Sequence, residues 1–331
     1  MTSPGVVPLH KTPMRLADGR ELIYFDDLPG AERTLYDARD LDPPDPEPQI
    51  RYDPILDEWM IIASHRQART HLPPADECPL CPSQPGRLTE IPSEDYDVVV
   101  FENRFPSLSM SAPHVSGDAL LERKAGIGRC EVLCFTADHD SSFSQLSPQR
   151  LATVGWAWVD RTVELGKLPG IEYVFCFENR GEDIGVTLNH PHGQIYGYPF
   201  VPPRVARKLD SAQRYRDRTG GCVFCDVVAH EVASGERIVT TTDNFVAFVP
   251  SAPRWPFEVH LYPRDHVADL PALSEAHRNE LVELQADVLG RFDRVFDRPM
   301  PYISGWVQAP VNGRRDLSHL HLEIFMIRRP P

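Results

Sequence analysis

Two His-x-His motifs at a constant offset constrain this chain more than any other feature. His190-Pro191-His192 and His319-Leu320-His321 are separated by 129 residues at both histidine positions. Other signals fall into step with them. Cys78-Pro79-Leu80-Cys81 recurs as Cys222-Val223-Phe224-Cys225. The strand-like run 130–135, closed by Asp138-His139 and later Ser147, recurs as 257–262, Asp265-His266 and Ser274. The histidines His139 and His266 are 127 apart, whereas the cysteine pairs are 144 apart, so one copy carries an insertion of about 15 residues in an otherwise internally duplicated chain.

A duplication needs room for two cores. The 331 residues, 41% of them apolar, allow two units of roughly 150 residues each. The 33 prolines, about twice the usual share, imply many ordered loops and modest helix content. Strands are read at 54–64, 97–101, 171–177 and up to Tyr198, and again at 244–249, 257–262, 302–307 and 319–327. Helices are read from the Ser147-Pro148 N-cap to Leu168 and over 274–296, with an arginine-rich helical connector at 203–218. This predicts an α+β architecture, mostly antiparallel, with two pseudo-equivalent halves fused into one body. The expected divisions are a 1–50 arm ending in the proline-rich 42–48 stretch, a first half at 51–200 and a second at 201–331.

A net charge of −14 argues against a general nucleic-acid binder. No apolar run suits a signal peptide or a membrane span, so a cytoplasmic protein is expected. In that compartment the two C-x-x-C pairs read as metal ligands or redox pairs rather than structural disulfides. Pro79, Pro82 and the absence of a following helix disfavour the redox reading for Cys78 and Cys81. Cys130, Cys134 and Cys176 sit in apolar runs and read as small core residues.

In an extended segment His190 and His192 share a face, ~7 Å apart along the strand. With Cys78 and Cys81, His139 and His190 complete a four-donor zinc set. The duplication predicts a second set from Cys222, Cys225, His266 and His319. His192 reads as a nucleophile toward phosphorus, provided that its other ring nitrogen donates to a carbonyl. Gln194 reads as a donor to a phosphoryl oxygen, and Gly193 as a point where phosphate approaches the backbone. In the second copy Gly193-Gln194 becomes Leu322-Glu323, and a glutamate there would repel phosphate. The chemistry is expected in the first half, with the second catalytically silent.

Cys78-x-x-Cys81, Phe177-Glu178-Asn179-Arg180-Gly181 and His190-Pro191-His192-Gly193-Gln194 together resemble the galactose-1-phosphate uridylyltransferase family, a branch of the histidine-triad superfamily. The resemblance covers about residues 51–327 and implies a histidine-triad-like fold. It also implies a two-step exchange between UDP-glucose and a hexose 1-phosphate through uridylylated His192, with Gln194 as its phosphate partner. Cys78, Cys81, His139 and His190 would be zinc ligands. Arg66, Arg69, Asn103, Asn179 and Thr187 would contact nucleotide or phosphate, turn formation being the alternative for the two asparagines. A homodimer is implied too. Some relatives hold an iron through a glutamate and three histidines; Lys208 and Val307 stand at two of those positions, so iron is not expected. The family usually continues beyond the position of Pro331 with a segment near the sugar phosphate. Two alternatives stay open: an adenylyltransferase or dinucleoside polyphosphate phosphorylase using the same histidine, and a zinc-stabilised nucleotide-binding protein without turnover.

Overall fold

The computed structural model describes residues 10–63, 72–296 and 298–327. Its strands are β1 (His10–Arg15), β2 (Glu21–Asp26), β3 (Gln49–Asp53), β4 (Glu58–Ile62), β5 (Val98–Glu102), β6 (Arg123–Ala125) and β7 (Arg129–Cys134). They continue with β8 (Tyr173–Arg180), β9 (His192–Tyr198), β10 (Ile238–Thr241), β11 (Phe245–Phe248), β12 (Val259–Pro263), β13 (Tyr302–Val307) and β14 (His321–Phe325). Four helices accompany them: α1 (Pro148–Gly166), α2 (Pro203–Thr219), α3 (Val223–Ser234) and α4 (Glu275–Phe292).

Eleven strands form one antiparallel sheet in the order β1-β2-β5-β7-β9-β8-β13-β14-β12-β11-β10. Read outward from its middle, β8-β9-β7-β5 on one side answers β13-β14-β12-β11 on the other. The two copies therefore meet back to back through β8 and β13, where Phe177 pairs with Gly305 and Glu178 with Ser304. Registers agree across the repeat: Gln194 lies between Phe177 and Val132, as Glu323 lies between Gly305 and His260.

Both long helices start where the sequence says they should. Ser147 accepts from the Arg150 amide and Ser274 from the His277 amide, each at 3.2 Å, which satisfies a donor that the first turn leaves unpaired. Both helices cover the same sheet face. Leu151, Val154, Trp158, Leu281, Val288 and Leu289 pack with Val100, Leu133, Ile195 and Ile324 in a core shared by both halves. At Gly155 a Cβ would sit 3.2 Å from Arg278 and Val282 of α4, so a glycine lets the helices approach. Among the described residues no helix is long and apolar enough to cross a membrane.

Several elements differ from the sequence reading. The 54–64 run is not a core strand: β4 belongs to a separate three-stranded sheet, β4-β3-β6, where Met60 is exposed and Trp59 half-buried beneath the Lys124 ammonium. Within the segment read as an arm, β1 and β2 extend the main sheet, while 27–48 has no regular structure. Helix α3 carries the second cysteine pair at its start and was not legible, because its twelve residues lack a clean apolar stripe. Cys130, Cys134 and Cys176 are fully buried, as read.

Candidate active site and metal clusters

Alternation along β9 decides which side chains reach the open face of the sheet. His192 and Gln194 are half-buried on that face, whereas Gly193 and Ile195 turn into the core. A Cβ on Gly193 would lie 3.0 Å from the Phe135 ring and from the Phe177 carbonyl oxygen. Packing beneath the strand thus gives a reason of its own for glycine at this position.

His192 Nδ1 donates to the His190 carbonyl at 2.7 Å, which leaves the lone pair on Nε2. Burial lowers its pKa below the ordinary imidazole value, against an opposing effect of the His190 hydrogen bond, so the neutral ring is favoured. The Tyr196 hydroxyl donates to Gln194 Oε1 at 2.9 Å, leaving the carboxamide nitrogen to donate elsewhere.

A cavity of about 490 Å³ opens in front of these groups. His192, Gln194, Asn103, Asn179 and Thr187 all line it, with Phe101, Phe105 and Phe177 as aromatic walls. Asn103 Oδ1 accepts from the Phe105 amide at 2.8 Å, so this residue both forms the turn after β5 and faces the cavity. Asn179 does not form a turn: it sits within β8, paired with Ile303. Arg66 and Arg69 lie outside the described residues.

Two wall residues escaped the sequence reading. Arg104 and Glu90 line the same cavity, and Glu90 receives Arg20 Nη2 at 2.5 Å and Arg39 Nη1 at 2.8 Å, with Arg104 Nη1 at 3.6 Å. Arg104 stands inside the quoted motif beside Asn103, which was a signal. The bracing of Glu90 by the first forty residues had none.

Beside the start of β9, Cys78, Cys81, His139 and His190 bring one donor atom each within 4.8 Å of one another. Cys81 Sγ is 3.4 Å from His139 Nδ1 and 3.6 Å from His190 Nδ1. His190 Nε2 lies 2.8 Å from both the Thr136 carbonyl and the Tyr96 hydroxyl, contacts that fix the ring with Nδ1 toward the thiols. Cys222, Cys225, His266 and His319 form the repeat-equivalent group. There Cys225 Sγ is 3.5 Å from His266 Nδ1 and 3.6 Å from His319 Nδ1, and His319 Nε2 lies 3.1 Å from the Pro263 carbonyl. Two thiols and two imidazoles at this spacing form a set that can hold a metal ion.

His321 copies the His192 arrangement, its Nδ1 donating to the His319 carbonyl at 2.7 Å. Its Nε2 differs. Lys208, reaching down from α2, donates to that atom at 2.7 Å and to Glu323 Oε1 at 2.5 Å. The arginine-rich connector of the sequence reading is an amphipathic helix rather than a fully solvated one: Val205, Leu209 and Ala212 are buried, and Lys208 closes over His321.

Comparison with known proteins follows the same division. Residues 40–202 match the model of the galactose-1-phosphate uridyl transferase N-terminal domain, and 208–330 that of its C-terminal domain. The chain is 48% identical to a galactose-1-phosphate uridylyltransferase of Streptomyces lividans over 91% of its own length and 81% of the relative's. Against that of Thermotoga maritima the identity is 38%, covering 82% and 83%. Among solved structures, one titled as a uridylyltransferase superposes with a TM-score of 0.75 at 32% identity, covering 85% of this chain and 87% of the other. With both family domains matched in order and the paired halves visible in the sheet, the chain belongs to the galactose-1-phosphate uridylyltransferase family.

Proposed function

We propose that this protein transfers a uridylyl group from UDP-glucose to galactose 1-phosphate in two steps. The observation that carries this reading is the His192 tautomer: Nδ1 is committed to the His190 carbonyl, and the ring lines a cavity with amide and hydroxyl side chains around it. His192 Nε2 attacks the α-phosphorus of UDP-glucose, the P–O bond to glucose 1-phosphate breaks, and glucose 1-phosphate leaves. A phosphate oxygen of galactose 1-phosphate then attacks the uridylyl phosphorus, the P–N bond breaks, and UDP-galactose forms. The Gln194 carboxamide donates to the non-bridging oxygens as charge builds, and Asn103, Asn179 and Thr187 orient the nucleotide and its phosphates. Arg66 and Arg69 join them by family resemblance.

The metal in this reading is zinc. A set of two thiolates and two imidazoles, each buried imidazole oriented through Nε2 by a carbonyl, matches its preference for four nitrogen and sulfur ligands. Zinc would fill a closed structural role, held by Cys78, Cys81, His139 and His190, and by Cys222, Cys225, His266 and His319 in the second copy. In this reading residues 51–200 carry the chemistry and 201–331 are catalytically silent, supported by the Lys208 and Glu323 contacts of His321. A cytoplasmic homodimer belongs to the same proposal.

Intact-protein mass spectrometry after mixing with UDP-glucose alone tests it. One uridylyl adduct is expected on the parent and none on His192→Gly. An adduct from ADP-glucose in place of UDP-glucose would overturn the base assignment, and an adduct surviving in His192→Gly would overturn the nucleophile.

A further inference from the structure

The two Cys2His2 groups are alike in donors and unlike in access. In the first, Cys78 is 1% exposed and Cys81 6%, and both pack in a core with Leu80, Ile91, Tyr96 and Val99. His190 is fully buried, its Nε2 having two partners, Thr136 and Tyr96, and His139 is half-buried. In the second, Cys222 and Cys225 are half-buried, His266 is exposed, and only His319 is deeply buried. Its cysteine pair sits where α2 ends and α3 begins, with Cys222 as the N-cap of α3. A chelator or oxidant must reach a ligand atom to remove a metal, and thiolate reactivity follows exposure.

We propose that the second cluster is an exchangeable zinc–thiolate site, attacked first by peroxides and chelators, while the thiols of the first are shielded. This rests on the reading that both clusters hold zinc. The oxidative step balances with a peroxide as the two-electron acceptor. One cysteine Sγ attacks a peroxide oxygen, the O–O bond breaks, and hydroxide leaves a sulfenic acid behind. The other Sγ, within 4.8 Å, attacks that sulfur, an S–S bond forms, and a second hydroxide departs. Solvent protons convert both hydroxides to water, and zinc leaves as the divalent ion. The loss loosens the α2–α3 corner and leaves the first cluster intact.

The test uses the zinc-loaded full chain. Metal content is measured first, and zinc release into a chromogenic chelator is then followed during addition of hydrogen peroxide. Release in two phases is expected, each one zinc per chain, the first about tenfold or more ahead of the second. N-ethylmaleimide labelling with peptide mapping gives a variant-free readout, in which Cys222 and Cys225 lose their free thiols before Cys78 and Cys81. Cys222→Ser/Cys225→Ser should lack the fast phase. Release of both ions in one phase, or earlier loss of the Cys78 and Cys81 thiols, would overturn the inference. Fewer than two zinc ions in the parent before oxidation would overturn the two-zinc reading beneath it.

Discussion

The ammonium of Lys208 donates to Nε2 of His321 at 2.7 Å, the ring atom whose counterpart in His192 is left with the lone pair. One side chain from the connector between the halves thus separates two sites that the duplication made alike. Burial, and then the Lys208 charge, press the His321 pKa down to about 3, so His321 stays neutral and accepts this bond throughout the physiological range.

Lys208→Met should cost stability and leave chemistry alone. It strands Glu323, which among the described residues keeps Arg204 at 3.0 Å as its remaining cationic side chain, in a nearly buried position. A loss of about 2–4 kcal/mol is expected in chemical denaturation, with uridylylation of His192 unchanged in mass spectrometry. Lys208→Met/Glu323→Gln should recover part of the loss, and an undiminished cost in the double variant would show that packing rather than charge is responsible.

Gln194→Glu installs in the first half the residue that Glu323 supplies in the second. A carboxylate facing the phosphorus removes a donor and adds repulsion, so kcat should fall by about 10²–10³-fold, and the fold should survive because Gln194 lies on the half-buried face. Steady-state kinetics with UDP-glucose would read this, and a change confined to KM would place Gln194 in ground-state binding instead.

Tyr96→Phe tests the support of the first cluster. The hydroxyl bonds the Leu80 carbonyl at 2.9 Å and lies 2.8 Å from His190 Nε2. Its loss should weaken zinc binding about 10–100-fold in competition with a chelator and lower stability by about 1 kcal/mol. Unchanged zinc affinity would mean that the Thr136 carbonyl alone orients His190.

Glu178 sets a pH dependence of stability. It turns into the core beside Tyr302, and burial pushes its pKa up to about 7, against the opposing Arg180 charge. A carboxyl raised in the folded state binds its proton more tightly there than when unfolded. It therefore costs nothing below about pH 4.5 and destabilises progressively as pH rises toward 7, by about 3 kcal/mol at most. Glu178→Gln should flatten this part of the unfolding free energy between pH 5 and 8. A parallel slope in parent and variant would locate the titration elsewhere.

Much of this was legible along the chain, because it depends on neighbours in sequence. The offset of the His-x-His motifs foretold the paired halves, and serine caps placed α1 and α4. The spacing of Cys78, Cys81, His139 and His190 named a donor set whose members do meet. Alternation placed His192 and Gln194 on one face. Short segments read less well: β2 carries a strand-forming run, Leu22 to Phe25, that the proline-rich stretch after it obscures, β1 pairs with it at the sheet edge, and α3 has no stripe to announce it.

What the tertiary structure alone decided was the choice of partner. Arg20 and Arg39 find Glu90 at distances of 70 and 51 residues in sequence, and Lys208 finds His321 across 113. Gly193 proved to have a packing reason in the Phe135 ring beneath it. Caps, alternation and repeats are short-range and are written in adjacent residues. Which nitrogen stays free, which charge is neutralised and which cluster is open to solvent depend on contacts that exist only once the sheet has closed around its core.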